Sequence, residues 1–534
     1  MYDCTVSVKK LRIVVVVIPQ AIRLYRVGEA GPFGTQEDAG SFAPSGRSAK
    51  YVVWRLQPRS PEAIYEEQEE AMSTLETLYN EETRLAGPVP RRGAVSVFGF
   101  LRAVRNNNIA VWPEQAYRSD VLRLRILLRD VIVVNSPQLI KHILLDRVEN
   151  YRKSPIQRRV LGPLLGESLL MSEGELWRRH RRIIAPIFRP QRIEQFTETM
   201  AAAVQEMLQE WSRVPRGEAV DVAGAMSALA LTIITRAMFS SEPDSDMAAI
   251  VSTIPEYQRS VRPHLFDLLG LPQWVPRLDF SDRSARVDAT CGILNATLNR
   301  IIEERRSKPN ASDDLLSLLL NARDEAGAAL DAGEIRDEVA NFLLAGYDTS
   351  AHALTWTWYL LSLHPAEEKK LHDELRAVLG DRPPNGADLP RLHRARMILE
   401  ESMRLYPPAH TLSRLVVADD DAYGHHLPKG ATIIISPWLL HRNENLWDKP
   451  EVFRPDRFQQ DEAAARHRFA YIPFGGGPRI CIGAPFALAE GVLALATIAQ
   501  RFRLRLAPTA NVEPVALITL KPKYGLQMQL EPRI

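Results

Sequence analysis

Apolar residues recur at steps of three and four over long stretches of the chain, a spacing that predicts helices with buried faces. The predicted helices are 191–211, 223–238, 285–306, 333–363, 366–379 and 485–502. Shorter runs rich in β-branched residues predict strands at 126–134, 431–435 and 525–530. The pattern indicates a mainly α fold with small β-sheets, in one large domain that covers residues 85–534.

The first 84 residues lack this regular pattern. Residues 27–49 are rich in Gly, Ser, Ala and acidic residues without a sustained period. We therefore expect an N-terminal extension over 1–84 that is poorly ordered in its first 70 or so residues. Met72 opens a short helical pattern at 74–85, so either Met72 is the true start or the extension is a genuine, variable arm.

Membrane insertion is not indicated by the chain. The apolar run from Ile13 to Ile18 is much shorter than the roughly 20 residues that cross a bilayer. No small-residue cleavage site of the secretory type follows it. We expect no transmembrane anchor and no secretion.

Composition narrows the class of protein further. With 46% hydrophobic and 25% charged residues, the chain has the profile of a globular domain. Its formal net charge of +2 is too small to indicate a nucleic-acid partner. The three cysteines, Cys4, Cys291 and Cys481, are far apart and odd in number, which favours a reducing cytoplasm over a disulfide framework. Cys4 and Cys291 are interpreted as ordinary core residues.

Cys481 differs because it follows a glycine-rich loop and precedes an apolar helix. Gly475 to Gly477 have no Cβ, so this loop can pass close to a flat cofactor, with backbone N–H groups directed at the sulfur. The positive end of the following helix dipole also favours a thiolate. Arg479 is placed to pair with a carboxylate of the cofactor.

Other uses of such a loop fit less well. A phosphate-binding loop would end in Gly-Lys-Ser or Gly-Lys-Thr, and a dinucleotide site would need a strand followed by GxGxxG. Zinc would need several Cys or His ligands, and the 12 histidines form no suitable cluster in the sequence. A single cysteine suits haem with a thiolate axial ligand.

The same loop carries a specific family pattern. Phe474, Gly477, Arg479, Cys481 and Gly483 match Phe-x-x-Gly-x-Arg-x-Cys-x-Gly. The chain here resembles the cytochrome P-450 family, as a bacterial-type soluble member without a fused reductase. The resemblance covers residues 85–534 and implies the cytochrome P-450 fold, with haem b as the cofactor and Cys481 as the ligand to its iron. Phe474, Gly475, Arg479 and Gly483 would then lie against the haem.

A second pattern lies inside the predicted helix 333–363. Ala345 or Gly346 and Thr349 share one helix face, and their small size leaves room for dioxygen above an iron. Thr349 can also bond back to a carbonyl of the preceding turn. Asp348 and Thr349 resemble the acid–alcohol pair of the family, which implies a catalytic role in proton delivery.

Further signatures resemble the family in the expected order. Trp177 and Arg181 match Trp-x-x-x-Arg, and Arg414 resembles a second arginine that binds a haem propionate.

Glu401 and Arg404 match Glu-x-x-Arg, and Arg457 follows in the second motif. In the family these three form a structural cluster behind the haem. Removing one partner of such a buried cluster costs about 3–5 kcal/mol.

The resemblance implies a haem-thiolate monooxygenase that inserts one oxygen atom from dioxygen into an apolar substrate, such as a fatty acid, terpenoid, steroid or aromatic compound. Electrons would come from a separate ferredoxin- or flavoprotein-type donor, and we expect a monomer. Arg178, Arg179 and Arg182 form a basic face, part of which we expect to receive an acidic donor.

By the same resemblance, residues 155–165, 342–343, 409–412 and 517–518 would line the substrate pocket. Arg158, Arg159 and His410 could anchor a substrate carboxylate, although we expect each at the surface. Two alternatives stay open, a peroxide-dependent peroxygenase or isomerase and a non-enzymatic haem sensor.

Overall fold

Helix Ala332–Leu363, the longest among the residues that the structure describes, is buried along most of its length and organises the core. In this computed structural model the described residues are 85–90, 103–104, 106–126, 129–240, 249–250, 252–254, 256–257, 283–307 and 314–533, together with strands at 2–8, 11–18 and 21–27. The helix predicted from Met72 onward lies almost entirely outside these residues.

Helices make up most of the large domain. They are α1 (Pro137–Lys141), α2 (Pro155–Leu165), α3 (Gly174–Ile184), α4 (Pro190–Ile193), α5 (Thr197–Trp211), α6 (Val222–Phe239), α7 (Arg283–Ser307), α8 (Leu315–Asn321), α9 (Ala332–Leu363), α10 (Pro365–Leu379), α11 (His393–Leu405), α12 (Pro437–Leu440), α13 (Gln460–Ala465) and α14 (Ala484–Arg501). The mainly α fold class is confirmed.

The start of α9 shows why the sequence prediction worked there. The Asp331 carboxylate accepts the N–H of Glu334 at 2.8 Å, and the Glu334 carboxylate accepts the N–H of Asp331 at 2.8 Å. This reciprocal capping box satisfies two N–H groups that have no partner inside the helix. The prediction of one helix over 191–211 was wrong, because a 3-10 turn at Glu194–Phe196 separates α4 from α5.

The strands form small sheets. They are β1 (Tyr2–Val8), β2 (Leu11–Ile18), β3 (Ala21–Val27), β4 (Val121–Ile126), β5 (Arg129–Val134), β6 (Tyr151–Lys153), β7 (Ala219–Asp221), β8 (Leu412–Val416), β9 (Asp420–Ala422), β10 (His425–Leu427), β11 (Thr432–Ile435), β12 (Phe502–Leu506), β13 (Pro514–Ala516), β14 (Leu520–Pro522) and β15 (Gln527–Pro532).

The largest sheet has the order β4-β5-β11-β8-β6, with β11 parallel to β5 and the other pairs antiparallel. A second sheet has the order β12-β15-β7, and β9/β10 and β13/β14 are hairpins. The prediction of one strand over 126–134 was wrong. The chain reverses between Ile126 and Arg129, so that β4 and β5 pair with each other.

The N-terminal strands form a unit of their own. β1, β2 and β3 make an antiparallel three-stranded sheet, and residues 1–79 separate from 80–534 as a compact unit. The apolar run from Ile13 to Ile18 lies in β2. The boundary between extension and domain at residue 84 stays a prediction.

The core is built around α9. Trp356 stacks on Tyr406 with ring centroids 4.1 Å apart, and its indole N–H donates to the carbonyl of Leu520 at 3.0 Å. Helix α6 packs along α9. Among the described residues it is the one helix apolar and long enough to cross a membrane, and most of it is buried in the core, as expected for a core helix.

A buried ion cluster joins α11 to the segment that follows α12. Glu401 accepts two hydrogen bonds from Arg404, at 2.7 and 2.8 Å, and Arg457 Nε lies 3.4 Å from the same carboxylate. All three side chains are almost fully buried. The structure therefore brings together the three residues assigned a structural role.

We expect Glu401→Gln to lower the free energy of unfolding by about 3–5 kcal/mol, because two buried guanidinium groups lose their shared carboxylate. Urea unfolding followed by circular dichroism measures this loss. The control is Asp373→Asn, which breaks an exposed pair with Lys369 and should cost less than about 1 kcal/mol. Equal losses in the two variants would contradict the assignment.

Candidate active site

The cysteine loop connects a short 3-10 turn at Gly477–Arg479 to the start of α14. The Cys481 N–H donates to the carbonyl of Phe474 at 2.9 Å, which closes the loop on itself. Phe474 packs against the main core. Cys481 is an exposed residue, although protein atoms surround most of its thiol group. The residue is thus presented on a well-anchored loop.

The electrostatic surroundings of Cys481 disfavour a free thiolate. Burial raises the pKa of the thiol, and the N–H groups of Gly483 and Ala484 together with the charge of Arg181 offset this only in part. The pKa stays above its ordinary value as a result. A coordinated metal ion would supply the missing positive charge, because a thiol that ligates a metal loses its proton.

Two glycines fix the position of this loop. Gly477 has φ +68°, and a Cβ there would lie 1.9 Å from the carbonyl oxygen of Leu144. A Cβ at Gly476 would lie 2.7 Å from the ring of Phe469. Beside Gly475 the nearest atom would be 4.0 Å away, in Leu412. The loop is therefore pressed against the sheet side and leaves space beside Gly475, as a flat cofactor requires.

Helix α9 supplies a wall of small residues. In its otherwise buried middle, Ala345 is exposed and Gly346 and Thr349 are half-buried, so this face meets open space. The Thr349 hydroxyl donates to the carbonyl of Ala345 at 2.6 Å, which confirms the predicted bond within the helix. Gly346 has a second reason to be small, since a Cβ there would lie 3.1 Å from Ile234 of α6.

Asp348 is engaged elsewhere. Its side chain is buried, and the Thr519 hydroxyl donates a short hydrogen bond to Oδ2. Nδ1 of His352 lies 3.6 Å from Oδ1. The structure places Asp348 and Thr349 next to each other along α9, but their side chains have different partners.

Positively charged groups gather at one edge of the site. Nη1 of Arg181 donates to the carbonyl of Ile480 at 3.0 Å, and the Arg479 guanidinium lies 4.4 Å from the centre of the Trp177 ring. Arg414 is buried, and its hydrogen bond goes to the neighbouring carbonyl of Ser413. The structure thus brings Trp177, Arg181 and Arg479 together around the cysteine loop.

Two residues of this edge were not anticipated. Lys153 on β6 pairs in register with Arg414 on β8, and its ammonium is surrounded by backbone carbonyls of residues 169–172. Glu173 forms a close ion pair with Arg479 and accepts the N–H of Lys153 at 2.9 Å. Arg479, expected to pair with the cofactor, therefore already has a carboxylate from the protein. Lys153 reaches this edge because β6 pairs with β8, a pairing that cannot be predicted from the sequence.

These cations lie close enough to perturb one another. Burial lowers the pKa of Lys153 to about 7, with Arg479 lowering it further and Glu173 opposing the shift. Burial likewise lowers the pKa of Arg414 to about 10, again with Arg479 lowering it and Glu173 raising it. Buried cations that exceed their nearby carboxylates favour an anionic group at this edge.

The described residues fit a haem. Cys481 is exposed on its loop, α9 has an open face of small residues, and the cations beside the loop, with few carboxylates of their own, suit propionates. Among the described residues no cluster of three or more His, Cys, Asp or Glu side chains could hold another metal ion.

A buried polar cluster ties α3 to α9. Nδ1 of His180 lies 2.9 Å from Glu338 and Nε2 lies 3.2 Å from Glu334, which also pairs with Arg179 at 2.6 Å. Arg179, expected on a basic face with Arg178 and Arg182, is half-buried, and its guanidinium is directed at Glu334 in the first turn of α9. The cluster fixes the helix that carries Trp177.

Of the residues considered as substrate anchors, Arg158 lies where it was predicted and His410 does not. Arg158 pairs with Glu167 at the surface. His410 was predicted at the surface but is buried, and burial lowers its pKa to about 4, so its ring is neutral. Its Nε2 lies 3.2 Å from the carbonyl of Leu517, and a neutral ring can donate there. His410 is therefore unsuited to bind a carboxylate as a cation.

The His180 cluster predicts a pH dependence. Burial lowers the pKa of His180, but its hydrogen bonds to Glu338 and Glu334 and their charges raise it more, to above the ordinary value of 6.5. The stabilisation is then fully present below about 6.5 and is lost as pH rises through the folded-state pKa. We expect His180→Gln to flatten the decline of unfolding free energy above pH 6.5, measured by urea unfolding at several pH values. An unchanged slope would contradict a charged His180.

Known proteins were compared with the chain. The family model described as Cytochrome P450 matches residues 89–528. "Cyclooctatin synthase" of Streptomyces melanosporofaciens is 34% identical over 418 residues, covering 78% of this chain and 89% of the relative. "Pentalenene oxygenase" of Streptomyces avermitilis is 32% identical over 455 residues, covering 85% of this chain and 99% of the relative. A crystal structure of the cytochrome P450DA heme domain aligns with a TM-score of 0.74 and 26% identity, covering 84% of this chain and 99% of that one.

Proposed function

The chain belongs to the cytochrome P450 family and is an oxidoreductase of the monooxygenase class, and from this premise we propose that Cys481 binds haem b and that the enzyme hydroxylates an apolar terpenoid. The observation that carries the proposal is the exposed Cys481 on its anchored glycine loop, with Arg181 bonded to the Ile480 carbonyl and Arg479 stacked on Trp177 beside it. The dispersed cysteines support a cytoplasmic location.

Two groups of residues would hold the haem. Cys481 would ligate the iron, with Phe474, Gly475 and Gly483 against the porphyrin. Trp177, Arg181, Arg414, Arg479 and the unanticipated Lys153 would meet its propionates. When bound, haem with a thiolate ligand supplies dioxygen activation and oxygen-atom transfer, helped by electron donation from the sulfur.

The chain's own contribution is proton handling and the exclusion of water. Ala345 and Gly346 would leave space for dioxygen beside Thr349, whose hydroxyl is already ordered by the Ala345 carbonyl. Asp348 would move protons from the interior of the fold to Thr349. Both residues act as the catalytic pair in this proposal, and the carboxylate must turn toward the cavity to do so.

The substrate class rests on three observations. The regions expected to line the pocket are mostly apolar, with Phe342 packed edge-on against Phe188 at 5.1 Å between ring centroids. Two of the relatives, cyclooctatin synthase and pentalenene oxygenase, are terpene oxygenases. The neutral, internally bonded His410 argues against a carboxylate-bearing substrate. We therefore favour a terpenoid over a fatty acid.

A separate electron donor would dock beside the cysteine loop. A surface cavity of about 590 Å³ is lined in part by Pro478 and Arg479. Arg479 lies two positions before Cys481 in the chain. Five arginines and three glutamates line it. They are Arg152, Arg178, Arg181, Arg182, Arg479, Glu149, Glu173 and Glu175. Arg181, Arg479 and Glu173 belong to the proposed haem edge, and the other three arginines and two glutamates leave a surface that favours an acidic partner.

The alternatives predict different requirements. A peroxide-dependent enzyme would form product without a reductant, and a haem sensor would bind ligands without forming product. The intact Asp348 and Thr349 favour proton-coupled use of dioxygen over both. Product formation that requires both an electron donor and dioxygen would support the monooxygenase. We also expect the enzyme to be a monomer that takes its electrons from a separate donor.

Replacing the thiol tests the haem ligand. We expect Cys481→Ala to lose the absorption spectrum of a thiolate-ligated haem in the reduced carbon monoxide complex, because the substitution removes the sulfur that would ligate the iron. Cys291→Ala is the matched control, since Cys291 is a buried thiol in α7 and should leave the spectrum unchanged. A thiolate spectrum that persists in Cys481→Ala would refute the assignment.

Reversing a surface charge tests the donor site. We expect Arg182→Glu to slow reduction by an acidic ferredoxin several-fold at low ionic strength, with the difference shrinking as salt screens the charges. Stopped-flow reduction measures the rate. Lys369→Glu on α10 is the control, since Lys369 is exposed and does not line the cavity. Equal rates for the two variants at low salt would place the donor elsewhere.

A further inference from the structure

We propose that Thr519 and His352 are positioning residues that hold the Asp348 carboxylate on the side of α9 facing the β13/β14 hairpin, and that its departure from Thr519 is a step of proton delivery. This inference rests on the proposed function, because it assigns the partners of the same acid. It is carried by the geometry around a single buried carboxylate.

The two oxygens of Asp348 have different surroundings. Oδ2 accepts the Thr519 hydroxyl, and Oδ1 faces Nδ1 of His352 at 3.6 Å, one helical turn further along α9. Within the described part of the chain, this buried Nδ1 has no hydrogen-bond partner. A donor that stands just beyond bonding distance can form its bond after a small rotation of either side chain.

The hairpin itself is firmly attached. The carbonyl of Leu520 accepts the indole N–H of Trp356 at 3.0 Å, and its N–H donates to Pro408 at 3.0 Å. Asn107 bonds to both Pro514 and Ala516 at the other strand. The Thr519 hydroxyl therefore stays in place, and the movable part of the contact is the Asp348 side chain.

The hold on Asp348 is a hydrogen bond and not a permanent ion pair. Burial lowers the pKa of His352, while Asp348 raises it and Lys521 lowers it, and the net direction is downward. His352 is therefore neutral near neutral pH. Lys521 is the other charged group that acts on His352. A neutral partner and one hydroxyl can release a carboxylate that a buried cation would retain.

The proposed step conserves protons and electrons. The Asp348 carboxylate takes up a proton that originates from solvent water and turns from Thr519 to the cavity. There its O–H bond breaks, the proton passes to the Thr349 hydroxyl oxygen, and that hydroxyl releases its own proton into the cavity. Asp348 then returns to Thr519 as the carboxylate. No oxidant or reductant enters this step.

The test compares dioxygen-driven with peroxide-driven turnover in the holoenzyme, using a terpene hydrocarbon as the probe substrate. We expect Thr519→Val to lower the product formed per electron pair about tenfold with dioxygen, below the roughly 10²-fold that a positioned proton-transfer group contributes. The lost electrons leave as hydrogen peroxide. Product driven by added peroxide, which brings its own protons, should stay near that of the parent.

Four comparisons separate this role from a structural one. Thr519→Ser keeps the hydroxyl and should behave as the parent, and His352→Asn should show a smaller loss than Thr519→Val. Thr357→Val is the matched control, since Thr357 is a buried threonine of α9 that bonds to the carbonyl of Ala353. Adding Thr519→Val to Asp348→Asn should cause no further loss, because Thr519 acts through the carboxylate.

An infrared measurement tests the contact without turnover. The carboxylate band that disappears in Asp348→Asn should shift in Thr519→Val and stay in place in Thr357→Val. An unshifted band, equal losses with dioxygen and peroxide, or additive losses with Asp348→Asn would overturn the inference. If the parent forms no product with either oxidant, the proposed function fails, and the band still decides whether Thr519 holds Asp348.

Discussion

The backbone approach of Gly477 to Leu144 is the contact on which the rest of the site depends. Leu144 belongs to a π-helical turn at His142–Asp146 that packs with the largest sheet, so the cysteine loop is positioned by that side of the fold. A residue with a side chain at 477 would push the loop away by more than a bond length, because the Cβ would meet a carbonyl and not a flexible group. Cys481 follows four residues later and inherits this position.

The charges at the site edge depend on that placement. Arg479 stacks on Trp177 because the loop brings it there, and Arg181 reaches back to the Ile480 carbonyl. The pKa values of Lys153 and Arg414 are lowered, which means that burying these cations together costs stability in the protein alone. An anionic cofactor offsets this cost. Because binding that favours the folded state adds to its stability, haem uptake and folding should be linked here.

Local chemistry determined which features the sequence could predict. The Asp331–Glu334 capping box and the unbroken apolar period identify α9 nearly to the residue. The cysteine loop is a short contiguous motif, and its glycines have steric reasons visible in the structure. Such features need no knowledge of distant segments.

Features that depend on distant segments were missed or misjudged. Lys153 reaches the site through pairing of β6 with β8, and Arg179 is drawn inward by Glu334, 155 residues away. His410 is covered by the hairpin near Leu517. A basic or polar residue considered on its own is expected to be exposed, because most such residues are. Only its tertiary contacts show that it is buried.

The acid and the alcohol show the same division between local and distant control. Adjacent residues on an α-helix point about 100° apart, so Asp348 and Thr349 cannot both face the cavity unless one side chain turns. The motif therefore places Asp348 and Thr349 next to each other along α9, but it does not determine which group the Asp348 carboxylate bonds to. In this fold that place is made by Thr519, 171 residues further along the chain. Because the Asp348 carboxylate is held away from the cavity, its hydrogen bond with Thr519 must break before a proton can be delivered. The strength of that one buried hydrogen bond then determines how readily the carboxylate turns.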